Sequence, residues 1–289
     1  MTDTVKKGVL YVVGTPIGNL EDLSLRALRV LKEVDLIACE DTRQTRKLLD
    51  HYQIEKPAVS YHEHNEPARA EELVKKLQQG VSVAQVSDAG TPGIADPGYR
   101  VIKLAIERGV PVVPIPGPSA LTTALVGSGL PTDAFEFRGF LPAKSGQRRT
   151  ALEGLRDAEH TVVLYEAPHR IRETLEDTVA VLGPERPVVI ARELTKVHEE
   201  FIRGTAAEVL EKLQGREGEV RGEITLLIGK GGRGAAVAKK PLGARLKEIM
   251  QEQKLDEKGA LKALAKETGL SRSEVYREVQ RTVDRGRGK

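Results

Sequence analysis

The 289-residue chain has no tryptophan, and its aromatic residues amount to 3%. A sequence-tolerant stacking platform for single-stranded nucleic acid, which needs successive exposed rings, is therefore poorly supplied. Cys39 is the single cysteine, so no internal disulfide is possible, and no Cys/His cluster has the spacing of a zinc site. The pair His62 and His64 has no third ligand at an evident spacing. These absences fit a reducing compartment and a metal-free fold. No apolar run approaches the ~18 residues of a membrane span. Met1 to Lys7 lack an apolar secretory segment, so the expectation is a cytoplasmic protein without a membrane partner. A G-x-x-x-x-G-K-[ST] loop is missing too, which speaks against nucleotide hydrolysis.

What is present describes a globular protein. Hydrophobic residues make up 39% and charged residues 30%, and the length exceeds what one hydrophobic core serves comfortably. The formal net charge of +3 is unevenly spread. From Lys239 onward there are 14 Lys and Arg against 8 Asp and Glu, a net of +6, which leaves −3 for the rest. A basic tail on a near-neutral body suits an anionic partner such as RNA, and it equally suits a solvated helical surface.

The most informative stretch is Ser87 to Gly98, SDAGTPGIADPG. It follows the buried-strand pattern Val81 to Val86 and precedes a helical pattern with Val101, Leu104 and Ala105. Its three glycines permit positive φ or close backbone approach, and its two prolines fix φ. The result is a rigid loop at a strand's carboxyl end, where open α/β sheets bind ligands. Two similar loops end the strands Gly8 to Val13 and Val110 to Ile115, at Gly14 to Leu20 and Pro116 to Ala120. If the three strands are neighbours in a parallel sheet, the loops form one cleft. The first helix places Leu25, Leu28 and Leu31 on one face. After the strand Leu36 to Ala38, the cluster Glu40 to Arg46 opens a helix with Asp41 as N-cap.

Near Leu130 the pattern restarts. Phe135 to Phe140, Thr161 to Tyr165, Val188 to Arg192, Phe201 to Gly204 and Ile224 to Ile228 read as strands of a second α/β sheet. This sheet is mixed, because the link from Arg192 to Phe201 suits a hairpin. The basic loop Leu141 to Arg149 suits phosphates. Gly229 to Gly234 matches G-x-G-x-x-G, but no helix or further strand follows to complete a βαβ unit, so it reads as linker. The domains are then 1–117, 118–230, a linker at 231–241, and a basic tail at 242–289. In the tail, Ser271 and Glu274 form a capping box after Gly269, the outline of a helix-turn-helix unit. Its Lys266, Arg272 and Arg277 either contact RNA phosphates or coat a packing appendage.

Six segments, in order, closely resemble the signature segments of the tetrapyrrole-methylase superfamily: Gly14 to Leu20, Cys39 to Arg43, Ser87 to Gly98, Pro116 to Ala120, Tyr165 to Ile171 and Arg192 to Glu200. Within it they are most similar to the branch that methylates the ribose 2′-hydroxyl of a cytidine in small-subunit ribosomal RNA. The resemblance implies a fold of two α/β domains with a helical appendage, S-adenosylmethionine as cofactor, and a homodimer. It places the cofactor against Pro16, Ala89, Gly90, Thr91, Ile94, Ser119, Ala120, Glu166 and Leu194. Thr91 stands where porphyrin-directed relatives commonly carry aspartate, and Gly93 where they carry a bulky residue.

Methyl transfer from a sulfonium to a hydroxyl is an in-line displacement. Alignment supplies much of the acceleration, and a carboxylate or imidazole helps remove the hydroxyl proton. Asp41, Glu166 and His169 are the candidate bases. Arg43, Lys144, Arg148 and Arg170 are the candidate phosphate contacts beside those of the tail. A methyltransferase of the same fold acting on a tetrapyrrole, small molecule or protein is the alternative, and a non-catalytic RNA-binding protein is a second. With the cofactor held by the backbone of the Ser87 to Gly98 loop, Gly90→Val is expected to abolish its binding and Asp96→Asn to do little.

Overall fold

The computed structural model describes residues 4–216, 218–231, 246, 249–250, 255–268 and 275. The chain divides into two compact units, Met1–Gly231 and Gly232–Lys289. The first unit carries two five-stranded sheets.

The first sheet is wholly parallel, in the order β3-β2-β4-β1-β5. Its strands are β1 (Leu10–Val13), β2 (Leu36–Cys39), β3 (Ala58–Ser60), β4 (Val83–Val86) and β5 (Val112–Ile115). The helices α1 (Leu25–Glu33), α2 (Thr42–His51), α3 (Glu66–Gln78) and α4 (Tyr99–Glu107) connect them. Strand side chains alternate between faces. Tyr11, Val13, Ile37 and Ala84 pack with Ala27, Val30 and Leu31 of α1 and Leu48 and Leu49 of α2. Leu10, Leu36, Ala38 and Val83 pack with α3 and α4 on the other side. Two covered faces explain why these strands read as unbroken apolar runs. The inward stripe of α1 differs from the expected one. Ala27, Val30 and Leu31 are buried, whereas Leu25 is 86% exposed, because Ser24 caps the helix and leaves Leu25 in the outward first turn.

The second sheet has the order β6-β7-β10-β8-β9. It is built from β6 (Phe135–Phe140), β7 (Thr161–Glu166), β8 (Pro187–Arg192), β9 (Glu200–Thr205) and β10 (Ile224–Ile228). β6 and β7 are parallel and the other pairs antiparallel, including the expected hairpin, where Arg192 pairs with Glu200. α6 (Ser145–Glu153), α7 (Ile171–Leu182) and α8 (Ala206–Gln214) cover one face. The other face meets α5 (Ala120–Ser128) together with Ile17 and Ala89 from the loops of the first sheet. One apolar cluster thus joins both sheets, and it fixes how the loops face the second sheet.

The loops after β1 and β5 touch backbone to backbone. A Cβ on Gly117 would lie 2.9 Å from Gly14 Cα and O, and one on Gly14 would lie 2.9 Å from Gly117 Cα. Backbone cannot yield as a flexible side chain can. Gly117→Ala is therefore expected to destabilise the first unit by ~1–3 kcal/mol, the cost of overpacking a tight contact, read as a lower urea midpoint at unchanged m-value.

The second unit is described at its core. Leu246, Ile249, Ala260, Leu264 and Val275 are buried together. Asp256 precedes α9 (Glu257–Thr268) and accepts a hydrogen bond from the Gly259 amide at 2.8 Å. Arg272, Arg277 and the capping box Ser271/Glu274 lie outside the described residues, and of Lys266 only the backbone within α9 is described. The segment after Gly231 that completes the glycine motif also lies outside them.

Candidate active site

The carboxyl ends of β4, β1 and β5 are neighbours, so their three Gly/Pro loops crowd one edge. The loop after β4 is tied to the loop after β1 by a reciprocal backbone pair. The Thr15 amide donates to Gly90 O at 2.9 Å and the Gly90 amide to Thr15 O at 3.1 Å. The Thr15 hydroxyl donates to Ser87 O at 3.1 Å. At its far end, the Gly98 amide donates to Glu66 Oε1 at 3.0 Å, and Tyr61 Oη donates to the same oxygen at 2.9 Å. Tyr61 in turn accepts the Val101 amide at 3.1 Å, which closes the first turn of α4. Between these anchors Gly90 and Gly93 have φ of +78° and +81°, and Ala95 is held at +61°.

This loop forms one wall of a cavity of about 300 Å³, at the lower end of the range for ligand sites. Small residues make its floor: Ala89, Gly90, Ala120 and Ala191. Ile17, Ile94 and Leu194 supply apolar sides, and Phe140, Tyr165, Glu166 and the start of β10 close it from the second sheet. Eight of the nine residues aligned with cofactor contacts line it: Ala89, Gly90, Thr91, Ile94, Ser119, Ala120, Glu166 and Leu194. Pro16 does not. It is buried behind the wall, between Thr15, which bonds Gly90, and the lining residue Ile17.

The candidate bases fare differently. Glu166 lies in the wall and is 3% exposed, with its oxygens already engaged. Oε1 accepts from the Ala167 amide at 2.8 Å and faces Arg170 Nε at 3.4 Å, and Oε2 accepts from the Thr174 hydroxyl at 2.7 Å. Asp41 caps α2 as expected and is outside the wall. Hydrogen bonds from the Arg43 side chain and amide hold its carboxyl down at about 2. His169 is exposed and also outside the wall.

Two of the candidate phosphate contacts are corrected. Arg148 is 1% exposed, its Nε on Asp177 Oδ2 at 2.7 Å and its Nη1 on Ala143 O at 3.2 Å. Arg170 Nη2 donates to Leu141 O at 2.8 Å and Pro142 O at 3.1 Å, holding the loop after β6. Arg148, in the first turns of α6, is turned onto Asp177 and Glu173 of the neighbouring α7, and Arg170, the N-cap of α7, onto carbonyls of the loop after β6, so both guanidinium groups are held inside the protein. Lys144 is exposed, and the Arg43 side chain is 87% exposed.

Several lining residues were not anticipated: Asp96, Phe140, Glu223, Ile224 and Thr225. Phe140 is 56% exposed at the cavity, and Tyr165 stacks edge-on against it at 5.8 Å. Burial leads the upward shift of Asp96, with the nearby Ser87 side chain opposing and repulsion from Asp88 added. Among the described residues no group of three or more His, Cys, Asp or Glu side chains is arranged to hold a metal ion.

Two joined α/β sheets with a cavity walled by strand-end loops define a class: residues 9–210 match the model of the Tetrapyrrole (Corrin/Porphyrin) Methylases. Solved structures share the fold. A diphthine synthase superposes with a TM-score of 0.59 at 16% identity over 76% of this chain and 90% of its own. A Thermus thermophilus uroporphyrin-III C-methyltransferase complexed with S-adenyl homocysteine gives 0.54 at 22%, over 76% and 96%. Sequence relatives are nearer. A ribosomal RNA small subunit methyltransferase I from Halalkalibacterium halodurans is 52% identical over 77% of this chain and 76% of its own, and one from Synechocystis is 46% identical over 93% and 96%. The chain belongs to the ribosomal RNA small subunit methyltransferase I family.

Proposed function

We propose that the cavity holds S-adenosylmethionine and that the protein methylates the ribose 2′-hydroxyl of a cytidine in 16S ribosomal RNA. The observation that carries this reading is the cavity itself, formed where the family's cofactor segments converge. Its residues suit the group. A floor of Ala89, Gly90, Ala120 and Ala191 leaves room for a flat nucleoside, and Ile17, Ile94 and Leu194 give it apolar contact. Ser119 caps α5 without a side-chain bond to the helix, so its hydroxyl remains free to serve a ligand. When bound, the cofactor supplies an activated methyl group on a sulfonium. The protein's part is to align the hydroxyl with it and to exclude water. The rigid loop tied at Thr15 and Glu66 performs the first task, and the apolar cluster joining the sheets performs the second.

The exposed Arg43 and Lys144 support binding of the RNA backbone, with the basic tail as a further contact. Lys144→Ala is expected to weaken binding to small ribosomal subunits modestly and to lower the salt slope of log K by about 1, measured by filter binding over a salt series. A homodimer and a cytoplasmic location belong to the same reading. Light scattering and cell fractionation test them. No helix among the described residues is long and apolar enough to cross a membrane.

The deciding experiment maps ribose methylation in 16S RNA from cells lacking the protein. Loss of one 2′-O-methyl cytidine, restored by the purified protein with S-adenosylmethionine, is the expected result. An unchanged methylation map would reject the reading.

A further inference from the structure

Alternate residues of a strand share a face, so Phe137 and Phe140, three apart on β6, would ordinarily point to opposite sides of the second sheet. The ladder breaks between them. Phe137 pairs with Val163 and Phe140 with Tyr165, so three steps along β6 match two along β7. Such a bulge is rare between parallel strands, and bulges re-aim side chains next to active sites. Gly139 permits it with a φ of +61° in open space, where conformation and not crowding calls for glycine. Both rings consequently reach Tyr165 on the cavity side, Phe137 at 4.9 Å and Phe140 at 5.8 Å between centroids. Phe137 packs into the cluster joining the sheets, whereas Phe140 is left 56% exposed at the cavity. Its backbone is nonetheless held. Leu141 is buried in the core of the second sheet, and Arg170 Nη2, beside Glu166, donates to Leu141 O at 2.8 Å and Pro142 O at 3.1 Å.

We propose that Phe140 is the platform on which the base of the acceptor nucleotide stacks, an inference that rests on the function proposed above. A ribose hydroxyl comes into line with a methyl donor inside a cavity only when its nucleotide leaves the neighbouring stack. Bases splayed out of RNA settle on aromatic side chains, and that contact offsets part of the cost of unstacking. Phe140 is placed for this second ligand. It is not one of the nine residues aligned with cofactor contacts, and it is more exposed than Ile94, which at 40% is the most exposed of them. Tyr165 meets it at 62° between ring planes, so it supports the ring without stacking flat on it. The exposed Lys144 follows four residues later, so one segment offers both a base contact and a phosphate contact. Every base has a π-face, so Phe140 aligns the nucleotide without reading which base it carries.

The test is single-turnover methyl transfer by the full-length protein to small ribosomal subunits lacking the methyl group. Affinity for S-adenosylhomocysteine, by calorimetry, and oligomeric state, by light scattering, are measured beside it. Phe140→Ala is expected to slow transfer ~5–150-fold, the equivalent of one lost base stack, with S-adenosylhomocysteine affinity within about twofold and the oligomeric state unchanged. The loss should be smallest for Phe140→Tyr, which keeps the ring, and intermediate for Phe140→Leu, which keeps only apolar bulk. A second substrate gives the sharper readout: subunits reconstituted with 16S RNA that is abasic at the acceptor position, so that the 2′-hydroxyl stays and the base is gone. The wild type should be slowed on these subunits about as much as F140A is on ordinary ones, and F140A should lose little more, the coupling expected of two groups in contact. Full additional losses in F140A on abasic RNA overturn the proposal. So does an unaltered rate in F140A, or a leucine variant as fast as the wild type. S-adenosylhomocysteine affinity falling in step with rate also overturns it, because Phe140 would then hold the cofactor, and a changed oligomeric state would make Phe140 a subunit contact. Absence of transfer by the wild type to ordinary subunits would instead reject the underlying function.

Discussion

Gly90→Val is expected to abolish S-adenosylhomocysteine binding in a protein that still melts cooperatively. Gly90 has φ +78°, a conformation that a β-branched residue adopts only with strain of ~1–3 kcal/mol. The first added carbon is not itself the obstacle. A Cβ there would lie 3.5 Å from Ile17 Cγ2 and 3.9 Å from Pro118 O, ordinary contacts. The strain is relieved only by turning the peptide, and that breaks the reciprocal bonds with Thr15. Those bonds join the loop after β4 to the loop after β1, so both cavity walls move together. If the loop holds its shape instead, valine's γ carbons occupy the floor where the cofactor would lie. Either route removes the ligand. A loss of at least ~100-fold in affinity, about 2.8 kcal/mol, is expected by calorimetry. Gly90→Ala, without branches, should lose less. Unaltered affinity in a folded Gly90→Val protein would show that this loop is not the cofactor wall.

The first wall was legible in the sequence because its chemistry is local. Turn glycines and prolines directly after buried strands announce a rigid loop, and parallel strands bring such loops to one edge. The opposite wall was less legible for a topological reason. β10 runs antiparallel to β7 and β8, with Ile224 opposite Glu166 and Arg192. Its amino end therefore meets the cavity, and a search at carboxyl ends of strands passes over Glu223 to Thr225. Phe140 escaped for another reason. In a pattern it is one more apolar strand residue, and only the fold shows that it is exposed beside the cavity. The arginines Arg148 and Arg170 misled because charge in a loop reads the same whether it faces solvent or a buried carboxylate. Their partners Asp177 and Glu166, by contrast, are nearly inaccessible.

Arg148→Ala is expected to destabilise the first unit strongly, and this separates a structural arginine from an RNA contact. Its guanidinium is buried, with Nε on Asp177 Oδ2 at 2.7 Å and Nη2 on Glu173 Oε2 at 3.3 Å. Removing one partner of a buried pair leaves the other charge without compensation, at a cost of ~3–5 kcal/mol. Arg149 Nε remains on Asp177 Oδ1 at 2.6 Å, which puts the expected loss near the lower figure, about 3 kcal/mol. For a unit of this size, that is a fall in melting temperature of roughly 6–12 °C. The pH dependence follows from the same contacts. Burial pushes the Asp177 carboxyl up, but hydrogen bonds and charge from Arg149 and Arg148 outweigh it and hold the group below its ordinary value. A carboxyl lowered in the folded state adds stability above the unfolded value, ~3.9, and loses it as pH falls through the lower folded value. The wild type should therefore lose this contribution only in acid, and the difference between wild type and Arg148→Ala should narrow there. Lys144→Ala, four residues earlier on exposed surface, should leave the melting temperature unchanged. Equal melting temperatures for Arg148→Ala and wild type at neutral pH, with weakened subunit binding, would return Arg148 to the RNA surface.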